Sequence, residues 1–135
     1  MSRMWDKGAP LDERVLRYTA GEDYALDERL VRYDVRASIA HAQMLHAQKL
    51  LSADDLALIV GALSWLAEEH ERGQWRIELA DEDGQSALER RLIARIGPAG
   101  GRVHLGRSRN DQVLTALRLY LRDVIGELSA GAQGL

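Results

Sequence analysis

Apolar residues recur at helical spacing in four stretches of this 135-residue chain. From Leu26 the pattern turns helical. Val35, Ile39 and Ala42 fall at that spacing, Leu45 follows, and the segment runs to about Leu50. Ser52 and Asp55 have capping-box spacing and start a second helix, whose stripe is Leu56, Ile59, Val60, Leu63, Leu66, Ala67 and His70, with Gly73 placed just after its end. A third stripe, Leu88, Leu92 and Ile96, is stopped by Gly97-Pro98. Its start is marked by Asp81-Glu82-Asp83, since acidic side chains favour the positive end of a helix, and Ser86 with Glu89 has capping-box spacing. The fourth helix spans about Asn110 to Leu128. Its apolar residues Val113, Leu114, Leu117, Leu119, Tyr120, Leu121, Val124, Ile125 and Leu128 occupy more than one face. Such a helix is buried on most sides, and three others of this length cannot enclose it, so the pattern calls for further chain, other subunits, or both.

No alternation strong enough for a sheet is present, so the expected class is all-α. Residues 1–25 lack clear periodicity, hold Gly8, Pro10 and Gly21, and read as an N-terminal arm with one helical turn around Asp12 to Tyr18. The expected organisation is an arm over 1–25, a helical N-terminal domain over 26–110, and the start of a central bundle helix over 111–135. The run from Ser129 to Leu135 shows no natural stop, so the chain reads as truncated.

Composition changes this picture only by exclusion. A net charge of −3 argues against wholesale nucleic-acid binding. The absence of cysteine excludes disulfides, thiolate metal sites and a cysteine nucleophile. His41 and His46 share a helix at a spacing that does not put them on one face, so packing is the simpler reading and no metal site is expected. The consecutive acids Asp81, Glu82 and Asp83 point different ways and read as a helix start rather than a cation site. Leu56 to Ala67, the longest nearly apolar run, is too short to span a bilayer, and residues 1–8 lack the apolar core of a signal peptide. No membrane association and a cytoplasmic location are the default expectations.

The candidate chemistry lies in 102–113, Arg102-Val103-His104-Leu105-Gly106-Arg107-Ser108-Arg109-Asn110-Asp111-Gln112-Val113. Ser108 and Asp111 have the spacing of a capping box. Arg107 and Arg109 flank the cap, and Asn110 brings both a donor and an acceptor. A helix N-terminus offers free N–H groups and partial positive charge, so small polar donors there beside guanidinium groups suit a carboxylate or phosphate. Two readings stand side by side: an anion site, and a well-capped helix with a solvated basic loop.

Residues 106–113, Gly-Arg-Ser-Arg-Asn-Asp-Gln-Val, resemble the GRSRNDQV signature of argininosuccinate lyase, in the fumarase/aspartase superfamily. Tyr18-Thr19-Ala20-Gly21 through Leu26-Asp27 resembles that family's FTVG…MD segment. Tyr33-Asp34-Val35 with Ser38-Ile39-Ala40-His41 and Met44-Leu45 resembles its YDV…GSxAHxxML segment, and Glu82-Asp83 with Glu89 resembles EDxHxxxE. The likeness runs nearly throughout from Trp5 to Asp123.

The resemblance implies the N-terminal portion of such a lyase: a mainly helical domain leading into a central helical bundle. It implies homotetramers whose active sites draw on three subunits, and reversible elimination of argininosuccinate to arginine and fumarate in arginine biosynthesis, with no metal or organic cofactor. In that chemistry a base removes a proton next to a carboxylate, donors stabilise the aci-carboxylate, and the guanidinium leaves after protonation. By the same resemblance Ser108, Arg109 and Asn110 match substrate-contacting positions, and Asp27 matches an aspartate near the substrate. Gln85 is a further substrate-contacting candidate by the same resemblance; it stands where the family usually has histidine, and glutamine can hydrogen-bond but cannot gain charge near neutral pH. The family's catalytic serine loop is expected after Leu135, so no catalytic residue is expected within these 135 residues, and this portion alone is expected to be inactive. Two alternatives stay open: a non-catalytic, crystallin-like protein on the same fold, and an anion- or nucleic-acid-binding helical domain unrelated to the lyases.

Overall fold

The computed structural model describes residues 12–134, which form helices and turns with no strand among them. The order is α1 (Glu13–Ala20), α2 (Asp23–Leu26), a 3-10 turn (Asp27–Arg29), α3 (Val31–Ala47), α4 (Ala53–Glu71), a 3-10 turn (Leu79–Asp81), α5 (Gly84–Ile96), a 3-10 segment (Gly97–Arg102) and α6 (Arg109–Gln133). The all-α expectation holds. The first eleven residues of the expected arm lie outside the described residues. Of the rest, the single turn expected near Asp12 is the two-turn helix α1, capped by the Asp12 carboxylate on the Arg14 N–H.

The core is the convergence of three stripes. α3 contributes Val31, Val35, Ala42 and Leu45; α4 contributes Ile59, Ala62, Leu63 and Leu66; α5 contributes Ala87, Leu88 and Leu92. Leu51, Ile77 and Val103 close it from the connecting segments. Each large apolar side chain buried this way stabilises the fold by about 1.5–3 kcal/mol. The stripe read along α4 is the buried face, with Ile59, Leu63 and Leu66 almost fully enclosed. His41 and His46 are held by backbone carbonyls, those of Leu105 and Leu51 at 2.9 and 3.0 Å, in keeping with a packing role. Trp65 lies at the surface under the Arg95 guanidinium, 3.7 Å from the ring centre.

Three expectations are corrected. The helix expected from Leu26 breaks before Val31. Glu28 in that turn accepts from the Ile77 N–H at 2.6 Å, His70 at 2.7 Å and Arg76 at 3.0 Å. Burial pushes its carboxyl up, but these donors outweigh burial and hold it below the usual range. Asp27 meanwhile reaches Gly84, and holding both carboxylates on distant partners is what tightens the turn. The Ser52 cap forms on the Asp55 N–H, but the Asp55 carboxylate pairs with Arg102 instead of reaching back. The Ser86–Glu89 box is absent because Asp83 caps α5 three residues earlier, on the Ser86 N–H at 2.7 Å. Of the acidic triplet, Asp81 is buried, with Arg90 2.6 Å from one oxygen and Arg91 3.2 Å from the other.

α6 lies chiefly along α3, where buried Tyr33 meets Tyr120 edge to face at 5.8 Å. Ala116 is its one buried residue among those described. Val113, Leu114, Leu117, Leu121, Ile125 and Leu128 are exposed, so the apolar surface read from the sequence is left open by the rest of the described residues.

The 3-10 segment after α5 packs against that helix so closely that glycine is required. A Cβ on Gly100 would lie 2.8 Å from the Ile93 nitrogen and 2.9 Å from the Leu92 carbonyl carbon, both backbone atoms that cannot swing away. Gly100→Ala is therefore expected to destabilise the whole protein by about 1–3 kcal/mol. Denaturant unfolding checks this, and an unchanged midpoint would mean that segment and helix separate freely.

Candidate functional site

Two helix N-termini meet at the candidate site. α5 begins at Gly84, where the chain leaves extended backbone at Asp83. Its first turn offers free N–H groups, and carboxylates take two of them: Asp27 accepts from Gly84 at 2.8 Å, and Asp83 accepts from Ser86. α6 begins at Arg109 behind a complete capping box. The Ser108 N–H donates to the Asp111 carboxylate at 2.8 Å, and the Asp111 N–H donates back to Ser108 Oγ at 3.4 Å. The Ser108 N–H, with the Ser108 hydroxyl donating to the same carboxylate at 2.9 Å, holds the Asp111 carboxyl below the usual carboxylate range.

Arg109 ties the two starts together. Its guanidinium donates to Asp83 at 2.5 Å and to Ser86 Oγ at 3.0 Å. Arg109 thus joins the start of α6 to the start of α5 and lies within electrostatic reach of Asp27, which sits in the turn before α3. Asn110 is exposed one residue into α6, and the N–H groups of its first turn have no intrahelical acceptor. Gln85 is not at the surface: it is buried in the first turn of α5 with its amide on Asp34.

The two arginines expected to flank an anion are both turned to the chain itself. Arg107 runs inward, donating to Ser38 Oγ at 3.1 Å and to the Val103 carbonyl at 3.5 Å, and burial lowers its affinity for a proton. Arg109 is the bridge just described. Of the other candidate residues, Asn110 is exposed and Asp27, bonded to the Gly84 N–H, is half-buried. Burial raises the Asp27 carboxyl above its usual range, with Asp83 and Asp23 adding to the rise, against the Gly84 N–H and Arg109. Such an arrangement can hold a ligand that carries both carboxylate and cationic groups.

Sequence reasoning missed Asp34 and Asp83 as members of this cluster. Asp34 had a usable signal. It and Ser38 fall on the same face of α3 as Val31, Val35, Ala42 and Leu45, so polar residues occupy core positions.

The description "lyase" belongs to a family that matches residues 12–135. Argininosuccinate lyase of Sorangium cellulosum is 50% identical over 137 aligned positions, covering 98% of this chain and 32% of that protein. Argininosuccinate lyase of Thermotoga neapolitana is 41% identical, covering 93% and 32%, and that of Thiobacillus denitrificans is 50% identical, covering 90% and 26%. The chain thus spans about a third or less of the length of these curated relatives.

Asp83 has two jobs, as cap of α5 and partner of Arg109, and two substitutions separate them. Asp83→Ala loses both and is expected to cost about 1–2 kcal/mol. Asp83→Asn keeps the capping oxygen and is expected to cost less than about 1 kcal/mol, because the lost ion pair is partly exposed. Thermal unfolding of the two variants in the whole protein checks the order; equal losses would make the ion pair, rather than the cap, the stronger element.

Proposed function

Because the chain belongs to the lyase family, we propose that the whole protein carrying it is an argininosuccinate lyase, which reversibly eliminates fumarate from argininosuccinate to give arginine, as a step of arginine biosynthesis. The observation that carries the reading is the meeting of the α5 and α6 starts through Arg109, within the stretch 106–113. Relatives known as argininosuccinate lyases, 41–50% identical over nearly the whole chain, support it.

In this reading the substrate's carboxylates lie against the N–H groups that open α6, and Asn110 donates to a carboxylate or accepts from an amino or guanidinium group. Ser108 acts mainly through the helix end it organises. Arg109 sets the distance between the two helix starts, and Asp27 offers a carboxylate to a cationic part of the substrate. Donors fixed before substrate arrives stabilise the negative charge that builds on the aci-carboxylate without reorganising, which is the largest single contribution such a site can make. None of the described residues is assigned as the proton-abstracting base; that group comes from another segment of the whole protein. The active protein is a homotetramer in this reading, with the exposed apolar faces of α6 packed between subunits. Its location is cytoplasmic. No helix among the described residues is long and apolar enough to cross a membrane.

One observation favours a second reading, a non-catalytic protein on the same fold. Gln85 occupies the position where the resemblance leads one to expect histidine, and its amide cannot take up a proton. Turnover decides between the two. The whole protein, given argininosuccinate and followed by fumarate absorbance, is expected to show turnover; a folded protein without turnover would favour the second reading.

Asn110→Leu keeps the volume but removes donor and acceptor. An unsatisfied buried partner costs about 1–3 kcal/mol. On that basis kcat/KM is expected to fall roughly ten- to a hundredfold. The melting temperature is expected to change little, because Ser108 and Asp111 hold the cap. Unchanged kinetics with a lowered melting temperature would reduce Asn110 to a helix-starting residue.

A further inference from the structure

Beneath the site lies a polar contact that the proposed function does not use. Asp34, on the core face of α3, is 2% exposed, and Gln85, in the first turn of α5, is 4% exposed. Gln85 Nε2 donates to Asp34 Oδ1 at 2.7 Å. The partner oxygens, Asp34 Oδ2 and Gln85 Oε1, are both buried without a hydrogen-bond partner. An ionised Asp34 leaves two lone acceptors in the interior, and native folds rarely tolerate one. A proton on Oδ2 removes both deficits at once. A carboxylic acid and a primary amide each present one donor and one acceptor, and the two are complementary.

We propose that Asp34 and Gln85 form one neutral unit, in which protonated Asp34 donates from Oδ2 to Gln85 Oε1 while Oδ1 accepts from Gln85 Nε2, and that this unit pins the first turn of α5 to α3. Asp34 is thereby a positioning residue. It fixes the turn whose Gly84 and Ser86 N–H groups hold Asp27 and Asp83, without facing the outside itself. This stands on the fold alone and does not require the elimination reading.

The groups around Asp34 fit a neutral acid. Asp27 comes from the turn before α3, Asp83 from just ahead of α5, and Arg107 from the segment before α6. Ser38 of α3, Glu89 of α5 and Gln112 of α6 line the same small cavity, and α4 faces it with apolar Leu63. Arg107 donates from Nη2 to Ser38 and the Val103 carbonyl rather than to Asp34, and its Nε is buried without a partner. Burial is the strongest influence on the Asp34 carboxyl and raises it; Asp27 and Asp83 raise it further, against Gln85 and Arg107, and it ends pushed up to about 7.

The sign of the pH effect follows. The folded state holds the Asp34 proton more tightly than the unfolded chain. The contribution is therefore complete below the ordinary aspartate value of 3.8 and is lost as pH rises toward about 7, beyond which it is flat. Asp34→Asn mimics the neutral acid, since its amide donates to Gln85 Oε1 and its carbonyl accepts from Gln85 Nε2.

The test compares unfolding of the whole protein and its Asp34→Asn and Asp34→Ala variants from about pH 5 to about pH 8. The ratio of the wild-type unfolding constant to that of Asp34→Asn is expected to rise by up to about tenfold per pH unit below about pH 7, then level off. Asp34→Ala is expected to be less stable than Asp34→Asn throughout. A ratio independent of pH, or Asp34→Asn as unstable as Asp34→Ala, overturns the proposal. A second measurement needs no variant. The infrared band of a protonated carboxyl group, identified by its shift on isotopic labelling of aspartate, is expected in the wild-type protein near pH 6 and is expected to fade as pH rises through about 7. Its absence also overturns the proposal.

Discussion

Asp27 and Gly84 are 57 residues apart in sequence, and the 2.8 Å hydrogen bond between them fixes where α5 begins. The approach is close: a Cβ on Gly84 would stand 3.2 Å from Asp27 Cβ and 3.4 Å from Ile77 Cδ1. With the helix start set there, Asp83 becomes the cap, Ser86 turns its hydroxyl outward, and Arg109 finds both within reach. α6 can then begin beside α5 rather than elsewhere on the surface. The same turn is held from its other side by Glu28, through Ile77, His70 and Arg76. Two neighbouring carboxylates thus anchor the turn before α3 to the two segments that it must separate.

The site also shows how a helix N-terminus can be spoken for by its own chain. Asp111 already places a carboxylate at the start of α6, and Asp27 and Asp83 do so at the start of α5. An incoming carboxylate must therefore use the N–H groups and the amide that these leave exposed. That favours a ligand with separated charges over a simple anion, because a cationic group can meet the Asp27 carboxylate while an anionic one meets the end of α6. The proposed substrate has both kinds of group.

Much of this was legible from residue order. The stripes of α3, α4 and α5 are local patterns whose burial follows once they face one another, and the Ser108–Asp111 box is confined to four residues. The exposed apolar faces of α6 were readable too, because three other helices of similar length cannot enclose one that is apolar on more than one face. What failed was non-local. Ser86 looks like a cap until Asp27 takes the Gly84 N–H and starts the helix earlier, leaving Asp83 to cap it on the Ser86 N–H, and the helix from Leu26 looks continuous until Glu28 and Asp27 are drawn to residues some fifty positions away. The directions of Arg107 and Arg109 depend on Ser38, Asp83 and Ser86, which only the fold brings near. Asp34 lay in plain view at a core position of α3; its partner, on another helix, did not.

We propose that the starts of α5 and α6 form one ligand-binding surface. Amide hydrogen exchange of the whole protein, with and without argininosuccinate, tests it most directly. Bound ligand is expected to slow exchange in 84–87 and 109–112 together, since those backbone N–H groups border or take part in the site. Protection confined to a groove elsewhere on the surface, lined by Glu28, Arg29, Arg32, His70, Glu71 and Arg76, with both helix starts exchanging as before, would contradict it.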